Sequence, residues 1–215
     1  MKKFLFLLIF ILSAAAIYAQ ENTDNKYTKI TPFKFSLTPV YSVPWNFYNV
    51  YGLDTGILAP DTHALNGVQL FAMFGGARRM NGLQIASLAT LNHEQSHGVS
   101  ISALINASSY MKGLQIAVAN INMRESSGLQ LGAFNFSSVY HASGAFNGAQ
   151  IGFINRTNLI DGVQIGFFNT TTVLTGVQIG VFNYAGEIKK GVQIGPFNYH
   201  AKGTVPFLPI INGAF

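Results

Sequence analysis

An all-β repeat fold is what this 215-residue sequence predicts, with one main strand in each unit of about 15 residues. Three observations predict it. Glycine recurs at near-constant intervals, and between the glycines apolar and polar residues alternate with the period of a strand. The chain is also 49% hydrophobic and only 10% charged, which is enough apolar material for one ordered domain.

The first residues read as a secretory leader over 1–19. Lys2 and Lys3 form a positive start, Phe4 to Leu12 an apolar stretch, and Ala14 to Ala19 a small-residue exit. Residues 20–30, with Glu21, Asn22, Asp24 and Asn25, are expected to be a flexible leader segment. Beyond it no uninterrupted apolar run reaches the length of a spanning helix. There is no cysteine, so stability is expected to come from packing. The region 31–51 reads as an N-terminal cap: Phe33 to Tyr41 alternates like a strand, and an aromatic stretch, Trp45 to Tyr51, follows.

The array itself occupies 52–203. Its clearest units are Gly128 to Asn135, Gly148 to Asn155, Gly162 to Asn169 (GVQIGFFN), Gly176 to Asn183 (GVQIGVFN) and Gly191 to Asn198 (GVQIGPFN). Weaker copies begin at Gly113, Gly98, Gly82, Gly67 and Gly52, and the offsets from Gly52 onward are 15, 15, 16, 15, 15, 20, 14, 14 and 15 residues. Within a unit Val163, Ile165 and Phe167 point one way while Gly162, Gln164 and Gly166 point the other. Polar stretches such as Asn169 to Thr172 are expected to turn the chain. No unit can fold alone, so neighbours are expected to close each other's hydrogen-bond ladders and bury one another's Val and Ile rows.

Residues 204–215 are expected to form a cap or last strand. Val205 to Asn212 reads as a degenerate final copy, and Pro206 and Pro209 remove backbone donors from an exposed edge. Two architectures fit. A β-solenoid, in which identical residues stack, is favoured: Gln130, Gln150, Gln164, Gln178 and Gln193 would form one ladder, and Asn135, Asn155, Asn169, Asn183 and Asn198 another. The alternative is an antiparallel outer-membrane β-barrel of about 12 strands, acting as a pore or channel. Its apolar band would be too short, about 12 Å against the roughly 25 Å required, although a terminal Phe215 is of the kind that signals barrel assembly.

The GVQIG-x-F-N units, the leader and the ending Pro206 to Phe215 resemble an uncharacterised family of surface-repeat proteins from Gram-negative bacteria. The likeness covers residues 30 to 215 and departs at Ser100 and Asp54, which stand where Gln is expected. The resemblance implies export to the outer membrane or cell surface, the periplasm being the other option, and a repeat scaffold. It supplies no catalytic residues.

One motif carries recognisable chemistry. His93-Glu94-Gln95-Ser96-His97 is an H-E-x-x-H, which on a helix sets two imidazoles one turn apart for zinc with the glutamate as general base. Its position between the Gly82 and Gly98 strands points instead to a solvated turn, so a metallohydrolase through His93, Glu94 and His97 is the remote reading. No metal or other cofactor is expected. His63, His141 and His200 are isolated, and the acids Asp54, Asp61, Glu125, Asp161 and Glu187 are too dispersed to form an acid-base pair. The basic residues are scattered rather than clustered, which excludes a nucleic-acid face. The functional expectation is a non-catalytic structural or interaction protein of the envelope. Its regular Gln and Thr side chains would form a polar surface for a glycan or partner protein that the sequence does not identify.

Overall fold

The structure is a computed structural model that describes residues 29–38, 41–44, 48–58, 62–138 and 144–214. The expected leader 1–19, residues 20–28 of the flexible segment, Trp45, Asp61, His141 and Phe215 lie outside the described residues.

Among the described residues twelve strands follow one another: β1 (Lys29–Ser36), β2 (Ser42–Val43), β3 (Tyr48–Gly56), β4 (Thr62–Phe71), β5 (Phe74–Ala86), β6 (Ala89–Ser102), β7 (Ile105–Ile116), β8 (Ala119–Asn122), β9 (Ser126–Leu131), β10 (Phe134–Phe136), β11 (Ala145–His200) and β12 (Phe207–Ala214). The pairings among β3 to β11 are parallel and in register, so that Gly52, Gly67, Gly82, Gly98, Gly113, Gly128 and Gly148 lie side by side. The chain is therefore a β-solenoid of stacked parallel coils and not a barrel. Among the described residues antiparallel pairing occurs only where β1 meets β2 and where β12 lies against the end of β11.

Glycines make this stacking sterically possible: one opens every unit, and a second stands four places later in the Gly52 unit and in the five units from Gly128 onward, while Phe71, Ala86, Ser102 and Ala117 take that place in the other four. The first takes a positive φ, +146° at Gly162, and a Cβ there would lie 2.0 Å from the carbonyl oxygen of Gly148 below it. The second faces the interior: a Cβ on Gly166 would lie 2.4 Å from the Gly152 carbonyl oxygen and 2.6 Å from Asn155 Nδ2. Backbones approach so closely because no side chain separates them.

Three expectations need correcting. The stretches read as turns, Asn169 to Thr172 among them, remain extended inside β11, so each coil has a second strand segment rather than a loop. Val205 to Asn212 is not another parallel copy. After Pro206 the chain reverses, and Asn212 pairs with Gln193 while Leu208 pairs with Asn198. The third correction concerns which face is inside. The alternation holds, but Gln164 is fully buried while Ile165 is 39% exposed, as are its equivalents Ile151, Ile179 and Ile194 to a similar degree. The Val and Ile rows line the outer surface because the interior is claimed by amides that bond one another from coil to coil.

Apolar packing survives in one interior corner. Val50, Leu65, Ala77 and Met80 form a cluster at the N-terminal end, and Met111, Phe146, Ile160, Leu174, Ala185 and Ile188 form a longer one towards the C-terminal end. Most of these residues stand two places before a repeat glycine, where the chain turns inward ahead of the next coil.

Candidate functional site

Stacking identical coils places identical side chains one strand spacing apart, about 4.8 Å, a distance at which a carboxamide on one layer reaches the carboxamide on the next. The glutamines use this along the interior. Gln193 Nε2 donates to Gln178 Oε1 at 2.8 Å, Gln178 to Gln164 at 2.7 Å, Gln164 to Gln150 at 2.8 Å, Gln150 to Gln130 at 2.7 Å and Gln130 to Gln115 at 3.1 Å. Every donor points towards the N-terminal end. The asparagines form a second interior ladder with the opposite sense. Asn135 Nδ2 donates to Asn155 Oδ1 at 2.8 Å, Asn155 to Asn169 at 2.9 Å, Asn169 to Asn183 at 2.8 Å and Asn183 to Asn198 at 2.8 Å. Each of these amides also donates to a backbone carbonyl of the next layer, as Asn155 does to Ile165 and Asn169 to Ile179, both at 2.9 Å.

Ser100 interrupts the Gln ladder, and other polar side chains fill the gap. Asn92 Nδ2 donates to Gln84 Oε1 at 2.9 Å, Gln115 Nε2 donates to Ser108 Oγ at 3.3 Å, and the Ser96 and Ser100 hydroxyls lie 3.1 Å apart. Below the gap Gln84 donates to Gln69, which donates to Asp54 Oδ2 at 2.9 Å. Asp54 occupies the ladder position of the first unit, and Lys34 occupies it in β1, paired in register with Asp54. Both are fully buried, and Lys34 Nζ also donates to Thr62 Oγ1 at 3.2 Å, while Thr62 Oγ1 donates to Asp54 Oδ2 at 2.7 Å. Burial pushes the Asp54 carboxyl above its ordinary range, against the hydrogen bonds from Gln69 and Thr62 and the charge of Lys34. In the sequence Asp54 reads as an isolated acid, and Lys34 carries no chemical motif of its own. The available signal was that Phe33-Lys34-Phe35 has the same alternation as Val-Gln-Ile in a later unit.

These burials change what the surface offers. The glutamines and asparagines of the two ladders face inward, so they form no outer polar face for a glycan or partner. The outer surface instead carries stacked aromatic rows. The Phe153 and Phe167 rings are 5.1 Å apart, Phe168 and Phe182 5.0 Å, Phe182 and Phe197 4.8 Å, and Tyr184 and Tyr199 5.6 Å.

The H-E-x-x-H segment lies within β6, beside a register irregularity between Asn92 and Gln95, and is neither a helix nor the expected turn. His93, Glu94 and His97 are exposed on this strand, and Glu94 lies 3.8 Å from Arg79 Nε in a solvent-exposed pair. Helical placement of the two imidazoles is thus absent, and among the described residues no three His, Cys, Asp or Glu side chains come together in a metal-binding group. His63 Nδ1 is 3.1 Å from Asn49 Oδ1, and His200 Nε2 accepts from the Ile188 backbone N–H at 3.0 Å. Glu187 is drawn below the ordinary range by its hydrogen bond from Lys202 Nζ at 2.9 Å. Compared with known protein families, curated proteins and solved structures, the chain matches none of them.

Proposed function

We propose that the chain is a non-catalytic structural or interaction protein of the bacterial envelope that works through the outer surface of its coil array. One observation carries this reading: the polar residues that define the repeat are spent inside on each other, so repetition delivers to the outside only a long, regular surface. The leader-like start and the likeness to Gram-negative surface-repeat proteins support an exported location. A large array that serves as a scaffold needs no convergent acid, base or nucleophile, and the H-E-x-x-H residues sit in a strand that cannot present them as a zinc helix does.

Fractionation of the producing cell combined with protease treatment of intact cells tests the proposal. Recovery with the envelope, and digestion of the array from outside, is the expected result. Recovery in the cytosol with the first 19 residues still attached would overturn it.

A further inference from the structure

Counting each repeat glycine as the first residue, the second, fourth, sixth and seventh residues of a unit lie on the outside. From Gly52 to Phe197 none of these positions is Asp, Glu, Lys or Arg among the described residues, and apart from Thr55 and Ser87 all are apolar. Ten units at one strand spacing each, and five residue steps measured along the chain, make this surface roughly 43 by 16 Å, on the order of 700 Å², folded over the bend that the sixth and seventh residues make at 57–58, 72–73, 87–88 and 103–104. That exceeds the largest apolar patch of an ordinary monomer, about 300–600 Å². Its backbone groups are paired between layers along the parallel coils, so the face shows apolar side chains without open hydrogen-bond donors.

The border has a different chemistry. Tyr184 and Tyr199 stack along one side, in the column that holds Arg156 two coils earlier, while on the other side Lys112, Asp161 and Lys190 immediately precede Gly113, Gly162 and Gly191. Outside the core the described residues hold nine Lys or Arg against four Asp or Glu, an excess of five positive charges. A second copy stacked on this face would bring two surfaces of the same net positive charge to about the sheet spacing of 10 Å, near the screening length of about 8 Å. An anionic headgroup layer complements the same border, with tyrosines at the depth where aromatic side chains with a polar tip are favoured.

We infer that the apolar face defined by Ile151, Ile165, Ile179 and Ile194 and the phenylalanine rows seats the solenoid on an anionic lipid surface, lying in the plane of the interface without crossing it. This deepens the envelope reading and rests on it. The test is flotation of the exported chain, purified as the cell processes it, with vesicles of phosphatidylcholine alone or with added phosphatidylglycerol. The protein is expected to float, more strongly with phosphatidylglycerol and less as salt is raised. The pair Ile165→Glu/Ile179→Glu is expected to reduce flotation at least tenfold and the milder Ile165→Thr/Ile179→Thr severalfold, both with unchanged far-ultraviolet circular dichroism. Thr172→Glu, on an exposed position outside the face, is expected to float as the parent does. The inference is overturned if the parent chain does not float, or if the folded isoleucine variants float equally well. A lipid-free dimer in sedimentation that Ile165→Glu/Ile179→Glu dissociates overturns it also, by assigning the face to a second copy. Failed flotation of a protein recovered with the envelope removes this inference alone, because the fractionation tests the location separately.

Discussion

Replacing Gln164 with Glu alters the middle of the Gln ladder without changing its shape. In the parent, Gln164 Nε2 donates to Gln150 Oε1 at 2.8 Å and its Oε1 accepts from Gln178 Nε2 at 2.7 Å. At neutral pH the new carboxylate keeps the second bond but turns an oxygen towards the Gln150 oxygen, in a site with no solvent exposure. A buried charge short of a partner costs about 3–5 kcal/mol, a large part of the roughly 5–15 kcal/mol by which a domain is folded. When protonated, the acid regains a donor for Gln150 and the ladder closes again. Desolvation raises the carboxyl's folded pKa above its unfolded value, so the variant matches the parent below about pH 4.3 and loses stability as pH rises from there through the folded value. Urea unfolding followed by circular dichroism, with parent and variant side by side at each pH, reads this directly. The midpoint at pH 7.5 is expected to fall by roughly 1–2 M, with the gap narrowing on acidification. A variant that unfolds with the parent at pH 7.5, or shows one constant deficit at every pH, would refute the idea that the buried amides hold the coils together by hydrogen bonding.

Three further perturbations probe other parts of the fold. Gly162→Ala places a methyl group 2.0 Å from the Gly148 carbonyl oxygen at a φ of +146°, and is expected to lower stability by about 3 kcal/mol or more, read as a fall in melting temperature. Lys34→Met removes the cation beside Asp54, whose carboxyl burial already raises, and pushes that carboxyl further up. Its deficit against the parent, about 3–5 kcal/mol at neutral pH, is expected to be small below about pH 3.9 and to grow as pH rises, measured by chemical denaturation. Glu94→Gln breaks only the exposed 3.8 Å pair with Arg79 and is expected to change stability by less than about 1 kcal/mol, with peptidase assays reading the same for parent and variant.

Much of the architecture was legible because the glycines are where backbones touch. A positive φ at Gly162 and its equivalents, repeated every 14 to 20 residues, leaves a periodic trace that no other residue type could supply. The same alternation misled on sidedness. Apolar burial normally decides which face turns inward, and Ile beside Gln reads as Ile inside. In a parallel stack, however, each Gln inside the row meets an identical Gln at the right spacing for a hydrogen bond, so the amides can be buried with their bonds made, and only the last, Gln193, keeps an oxygen without a partner. That balance depends on register between units and is invisible in any single one. The reversal at Pro206 was hidden for a related reason: Asn212 preserved the repeat's spacing, while its partner, Gln193, is set by strand direction. Lys34 and Asp54 became a pair only when β1 was stacked on the first coil.

The opposed senses of the two amide ladders have a consequence for growth of the array. Were both to run the same way, partial charges of one sign would gather at each end, as they do in an α-helix, and every added layer would lengthen a net dipole along the axis. Here the glutamine dipoles run against the asparagine dipoles layer by layer, and the contributions largely cancel. Addition or removal of a whole coil therefore leaves the axial field nearly unchanged, so the length of the array is not limited by a growing axial dipole.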